Sequence, residues 1–257
     1  MMNISQEDVR EGLTATRAPA EAARRIAPVM QRYAIALGED NDRFGLIGRE
    51  DAASPARILQ RHILDSLAPW RILADLVAES GRRRLYDLGT GPGLPGIPLA
   101  FLLRAADVPL TETVLVERRG KRVTFLMGVV PALQARLSET SPDLTVTFRT
   151  LEADADSLRS REGGALDDGV VVFRAYRPTT AEFLASLAAT FGAGAPVCAL
   201  KGRMESAREE LRLLKDSPWY AVEPFVQEVL VPGLDAERTV LVWRTGDAPV
   251  TRDAERS

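Results

Sequence analysis

The sequence predicts a Rossmann-like α/β fold: a mostly parallel sheet with helices on both faces, behind a helical N-terminal extension. Three observations predict it. Strand-like and helix-like segments alternate from Arg84 onward, and such alternation builds a parallel sheet through right-handed crossovers. Residues 170–173 form an uninterrupted apolar run, as expected of a strand buried on both faces. A turn rich in glycine and proline, residues 89–96, joins the first strand to a helix, where sheets of this kind hold their ligands.

The elements follow in order. Residues 1–80 read as helical. Over 20–37, Ile26, Val29, Met30, Tyr33 and Leu37 recur three and four apart and make one apolar stripe. Ser54 and Pro55 supply a cap and a first-turn proline for the next helix. That helix runs through Ile58, Leu59, His62, Ile63 and Leu67 until Pro69 kinks or ends it, and 70–78 continues as another helical piece. Strands are expected at 84–88, 113–117, 144–148, 170–173 and 195–200. A closing hairpin is expected from 221–231 and 238–244, which brings the strands to seven. The helices between them span 99–105, 121–137, 179–190 and 205–215. In 121–137, Val123, Leu126, Met127, Val130 and Leu133 share a face that Pro131 perturbs. The polar stretch 153–169 reads as a surface insertion. The expected division is an extension over 1–80, a ligand-binding domain over 81–247 and a disordered tail over 248–257.

Composition narrows the function classes. Of 257 residues, 46% are hydrophobic and 27% charged, as in an ordinary soluble domain. The single cysteine, Cys198, rules out an internal disulfide, and the single histidine, His62, rules out a histidine-rich metal site; no metal is expected. The first residues carry acids and no apolar run, unlike a secretory signal. The longest apolar stretch, 97–103, is too short to span a bilayer. A cytoplasmic setting and no membrane partner are therefore expected. A net charge of -3 and a pI near 5.5 count against a protein that coats nucleic acid nonspecifically. Local basic patches remain available at 82–84, at 118–122, at Arg174 with Arg177, and at Lys201 with Arg203.

The segment 85–96 carries the chemistry. Its glycines let the backbone turn sharply and approach a ligand without side-chain collision. Residues 91–96 are a literal G-x-G-x-x-G, which alone fits a nicotinamide or flavin nucleotide. Asp87, two residues before the first glycine, extends the pattern to D-x-G-x-G-x-G. An acid at the strand end can face the cationic end of S-adenosylmethionine, whereas a pyrophosphate would meet it unfavourably. Glu117 closes the second strand, where a carboxylate can accept hydrogen bonds from both hydroxyls of an adenosine ribose.

The run Asp87-Leu88-Gly89-Thr90-Gly91-Pro92-Gly93-Leu94-Pro95-Gly96-Ile97-Pro98-Leu99-Ala100 resembles the signature of the bacterial 16S rRNA guanine-N7 methyltransferases, the RsmG (GidB) family. Further segments resemble it in the family's order: Arg61-His62-Ile63-Leu64-Asp65-Ser66-Leu67, Glu117 with Gly120-Lys121-Arg122-Val123, Arg174-Ala175 and Leu200-Lys201-Gly202. Four places depart from the pattern: the segment 153–169 is longer than the family norm, the family's tryptophan-asparagine is blurred near Asp40-Asn41-Asp42-Arg43-Phe44, and two further differences lie at the third and fourth strands. Arg149-Thr150-Leu151-Glu152 stands where the family has G-R-A-E after the third strand, and Phe173 stands where it has serine.

The resemblance implies a class I methyltransferase fold and methyl transfer from S-adenosylmethionine to N7 of a guanine in 16S ribosomal RNA. It implies a cofactor pocket from Asp87, Gly89, Gly91, Gly93, Leu94 and Glu117, with Leu151 and Glu152 near the adenine through their backbone. Arg174 then stands at the cofactor–substrate edge and positions the base; no general base is expected, because N7 carries a free lone pair at neutral pH. Lys121, Arg122, Lys201, Arg61 and His62 are the candidate RNA contacts. His62 lies on an apolar helical face and reads first as a hydrogen-bonded core residue, and Cys198 as packing. The implied partner is 16S rRNA or a small-subunit assembly intermediate, met by a monomer. Two rivals stay open: a methyltransferase of a small molecule or protein, and a noncatalytic cofactor-binding module.

Overall fold

Seven strands form one sheet in the order β3-β2-β1-β4-β5-β7-β6 in the computed structural model, which describes residues 4–215 and 220–246. The strands are β1 (Arg84–Leu88), β2 (Glu112–Glu117), β3 (Phe148–Glu152), β4 (Gly169–Arg174), β5 (Pro196–Lys201), β6 (Tyr220–Glu228) and β7 (Thr239–Thr245). The pairs among β1 to β5 are all parallel. The closing hairpin is antiparallel, and its second strand, β7, inserts between β5 and β6. Because β1 pairs with both β2 and β4, chain order reverses beside it. A crevice for a ligand opens beyond the carboxyl ends of strands at such a switch point.

Helices cover both faces. On one face, the stripe of the helix Ala20–Glu39 packs with Leu99, Phe101 and Leu103 of the helix Gly96–Ala105 and with Leu126 and Leu133 of the helix Gly120–Thr140. Ile26, Val29, Met30, Tyr33 and Leu37 are all fully buried, as the spacing predicts. Burying a side chain of this size contributes about 1.5–3 kcal/mol. The helices before β1 therefore share one continuous core with the sheet. On the other face, Tyr86, Val171, Phe173, Phe183, Phe191 and Trp243 form a second cluster. Phe173 is at its centre, with ring contacts to Tyr176, Phe183 and Trp243. Its place in this cluster accounts for an aromatic residue where the resembling family has serine.

Four expectations need correction. The third strand is Phe148–Glu152 and not 144–148. Leu144 and Val146 are buried, so their apolar signal reports burial, while the ladder with β2 begins at Phe148. The helix through His62 is interrupted: Leu59–Leu64 is a π-helix between the short α-helical pieces Pro55–Ile58 and Asp65–Leu67. An i→i+5 turn leaves no mark in an apolar spacing. The stretch 153–169 carries the helix Ala155–Arg161, whose Leu158 is buried in the second cluster. Met127 is 62% exposed; the buried face of its helix runs instead through Phe125, Leu126, Val129, Val130, Leu133 and Leu137. The expected tail 248–257 lies outside the described residues.

Candidate functional site

After β1 the chain turns through Gly89, Gly91 and Gly93, all at positive φ (66°, 60° and 108°). That region penalises any residue with a Cβ. The three glycines have different surroundings. A Cβ at Gly93 would collide with Ile97, and one at Gly89 with the ring of Tyr176. At Gly91 the nearest atom is the Arg122 guanidinium at 3.5 Å, so only the backbone angle excludes a side chain there. A side chain at Gly89 or Gly93 therefore meets protein atoms as well as an unfavourable backbone angle.

Asp87 fastens this loop. Its Oδ2 accepts hydrogen bonds from the Gly96 amide at 2.7 Å and from the Thr90 hydroxyl, which ties β1 to the start of the next helix. Burial pushes its carboxyl up to about 7, against the pull of those two donors. Its other oxygen, Oδ1, has no protein partner. Asp87 is fully buried and borders neither this loop's cavity nor the one beyond β4 and β5; among the described residues its contacts are those of a structural clasp. From behind, Tyr33 of the N-terminal helices donates its hydroxyl to the Pro92 carbonyl at 2.9 Å.

Glu117 sits opposite. One carboxylate oxygen accepts from the Gly91 amide at 3.0 Å and the other from the Arg119 amide at 2.8 Å; Arg122 approaches to 3.8 Å. Gly89, Glu117, Arg122, Asp154, Tyr176 and Arg177 border a cavity of about 270 Å³. Of the other expected cofactor contacts, Leu94 is buried in the core beneath the loop. Leu151 and Glu152 belong to β3 itself and stop short of the cavity. Ala153 and Asp154, the next two residues, border it instead, because the strand ends later than expected.

A second cavity of about 710 Å³ lies beyond β4 and β5, bordered by Asp65, Arg174, Tyr176, Lys201, Glu210 and Arg238 among others. Ala175, Tyr176 and Arg177 wall both cavities. Ala175 is held at φ +48°, a strained angle for a residue with a Cβ and one that recurs at functional sites. Tyr176 donates its hydroxyl to Asp154 at 3.2 Å, and its ring packs on Phe173 and Phe183. Arg174 is ion-paired with Asp65 at 3.0 Å, and Arg238 donates to the other oxygen of Asp65 at 2.5 Å. Lys201 pairs with Glu210 at 2.6 Å and stands 5.6 Å above the Phe173 ring.

The expected RNA contacts are scattered. Lys201 is mostly buried in the wall of the larger cavity. Lys121 is exposed and lines neither cavity, while Arg122 turns inward to Glu117 and to the Gly45 carbonyl at 3.4 Å. Arg61 and His62 also line neither. His62 Nε2 bonds Asp51 at 2.9 Å, and burial, with the nearby Arg174 charge, lowers its pKa against that partner. Cys198 is fully buried in β5, and burial pushes its thiol up.

Asp65, Asp154, Tyr176 and Arg238 were not among the sequence candidates. Asp65 lies inside the quoted 61–67 segment, and Tyr176 two residues after Arg174, so both had a local signal. Asp154 had only its nearness to the third strand. Arg238 had none: it reaches Asp65 across 173 positions of sequence. Among the described residues, no group of three or more His, Cys, Asp or Glu is arranged to hold a metal ion. No helix among them is long and apolar enough to cross a membrane.

The chain is similar to known proteins. A family model described as rRNA small subunit methyltransferase G, GidB, matches residues 26–219. A ribosomal RNA small subunit methyltransferase G from Xanthomonas oryzae pv. oryzae is 33% identical over 223 residues, covering 85% of this chain and 86% of its own. One from Colwellia psychrerythraea is 36% identical over 140 residues, 54% of this chain and 59% of its own. Among solved structures, a predicted O-methyltransferase from Agrobacterium tumefaciens aligns at 21% identity and a TM-score of 0.48, over 69% of this chain and 81% of that one.

Proposed function

The chain belongs to the rRNA small subunit methyltransferase G family, and from that premise we propose that it transfers the methyl group of S-adenosylmethionine to N7 of a guanine in 16S ribosomal RNA. The observation that carries this reading is the pairing of the glycine turn with Glu117. Each Glu117 oxygen makes one protein hydrogen bond. A carboxylate has about four acceptor positions, which leaves one on each oxygen for a ribose hydroxyl. Gly89 borders the same space beneath the Tyr176 ring, and the unpartnered Asp87 Oδ1 leaves one further hydrogen-bonding position for a polar group or a water at the loop. Asp154, on the far side of the cavity, is suited to accept from an adenine amine. These groups suit the ribose and the adenine amine of the cofactor.

When bound, S-adenosylmethionine supplies an electrophilic methyl on a sulfonium. The protein's task is then positional. Guanine N7 needs no proton removed, so the absence of a base–nucleophile pair is no obstacle. Arg174, at the end of β4 where the two cavities adjoin, orients the base. Correct placement and exclusion of water supply up to about 7–11 kcal/mol in the best intramolecular cases. The exposed Arg118 and Arg119 at the mouth of the smaller cavity, with the exposed Lys121 next to them in the chain, suit RNA phosphates, with Arg61 as a more distant contact. Arg122 is assigned to the cofactor side, Lys201 to the wall of the base cavity, and His62 to a structural pair with Asp51.

On this reading residues 1–80 are an extension that braces the glycine turn through Tyr33, and 81–247 the methyl-transfer domain. The protein acts as a cytoplasmic monomer on 16S rRNA or on an assembling small subunit. Thermal shift should show stabilisation by S-adenosylmethionine and none by NAD. The deciding experiment maps N7-methylguanine in 16S rRNA from cells with and without the protein. One modified guanine should disappear in its absence, and an unchanged map would refute the proposal.

A further inference from the structure

The larger cavity is not a bare cationic groove. Its arginines and lysine are already paired, and Asp65 stands at the centre of the pairing with only 8% of its side chain exposed. Two arginines from opposite sides grip its two oxygens. An acid so held is costly to bury and cannot swing away, yet each of its oxygens keeps an acceptor position. The backbone that presents it is unusual as well. Asp65 directly follows the π-helical stretch Leu59–Leu64, a rare geometry that is frequent at functional sites.

We infer that Asp65, clamped between Arg174 and Arg238, is the residue that selects guanine, by accepting N1–H and the exocyclic N2 amine of the target base while Arg174 donates to O6. This rests on the reading of the protein as a guanine-N7 methyltransferase. Guanine carries N7 and O6 as adjacent acceptors on one edge, followed round the ring by two donors, N1–H and the N2 amine. With N7 turned toward the cavity at Gly89 and Glu117, O6 falls at the end of β4, where Arg174 stands. The two donors come next, and the next charged group is Asp65. Acceptor, acceptor and donor on the base therefore meet methyl donor, cation and carboxylate on the protein. Adenine reverses both later positions: its 6-amine opposes the Arg174 donors, and its bare N1 opposes the Asp65 carboxylate. A site built this way rejects the wrong base strongly, because its buried polar groups are left unpaired. A cavity of about 710 Å³ accommodates a splayed nucleotide, and Tyr176 offers an aromatic wall for its face.

The test changes one atom group on the RNA. Full-length protein is given 16S rRNA ligated from synthetic fragments, with guanine or inosine at the methylated position. Inosine keeps N7, O6 and N1–H and lacks only the N2 amine. For wild-type protein, kcat/KM should fall about 10–100-fold with inosine, the loss of one hydrogen bond to a charged acceptor. A labelled RNA fragment titrated without methyl donor should show the same order of preference in its Kd. In Asp65→Asn, guanine should drop toward the inosine level, so that the two RNAs differ by less than about 3-fold, with S-adenosylmethionine affinity retained. Equal use of guanine and inosine by the wild type, or an undiminished preference in Asp65→Asn, overturns the assignment. If Asp65→Asn does not fold, the wild-type comparison still decides. Transfer to neither RNA by the wild type would instead refute the guanine-N7 reading itself.

Discussion

The two cavities adjoin at Ala175, Tyr176 and Arg177, yet they are built in opposite ways. The smaller centres on a local motif: the start of a glycine turn and one carboxylate that bonds two amides, ringed by arginines, Asp154 and Tyr176. The larger is all side chains from distant segments. Asp65 comes from the N-terminal helices, Arg174 from β4, Lys201 from β5, and Arg238 from the residue before β7. The difference teaches where specificity is encoded. A nucleoside cofactor can be held by a local motif, whereas the choice of target base depends on ion pairs that form only once the whole sheet is assembled.

The contrast breaks first at the turn. Gly93→Ala should cost about 3 kcal/mol or more, through backbone strain and the collision with Ile97. Gly91→Ala, with strain alone, should cost about 1–2 kcal/mol. Urea unfolding of the two variants checks this, and equal losses would mean that the surroundings of the glycines do not matter. Next, Glu117→Ala should raise the Kd for S-adenosylmethionine by about 100-fold, the loss expected when a carboxylate that would bond two hydroxyls is removed. Calorimetry reads it directly, and an unchanged Kd would mean that backbone alone holds the cofactor.

Arg174→Ala should lower kcat about 10-fold or more, as expected when one charge-assisted hydrogen bond to the base is removed, with the S-adenosylmethionine Kd within about 2-fold of wild type. Loss of folding without loss of turnover per folded molecule would make the ion pair with Asp65 its whole role. A pH-dependent effect is expected at Asp87. Its folded value of about 7 lies above the ordinary 3.8. Between these values the folded state holds a proton that the unfolded chain has released, so wild-type stability falls as pH rises through that window. Asparagine carries no charge at any pH. The stability of Asp87→Asn relative to wild type should therefore rise from about pH 4 to about 7, by at most ~1.4 kcal/mol per pH unit. It should then level off. Unfolding curves at pH 5, 6 and 8 test this, and a constant difference would contradict the buried, protonated carboxyl.

The same contrast decides what could be read from the sequence. The seven strands, their mostly parallel order and the stripe through Tyr33 were legible because buried strands and amphipathic helices impose their own periods. The glycine turn was legible because positive φ demands glycine. The third strand was displaced because, at the sheet edge, Phe148–Glu152 is only half-buried, and the better apolar signal came from residues packed beneath it. The inward turn of Asp87 onto Thr90 and Gly96, the π-helix before Asp65 and the reach of Arg238 across 173 positions were not legible, since no apolar period or motif spacing marks any of them.

The most direct test of the account is reconstitution: purified protein, labelled S-adenosylmethionine, and unmodified 16S and 23S rRNA in separate reactions, followed by digestion to nucleosides. The account requires label in 16S rRNA as N7-methylguanosine and no comparable label in 23S rRNA. Label in another nucleoside, or none in 16S rRNA presented free or within small subunits, would contradict it.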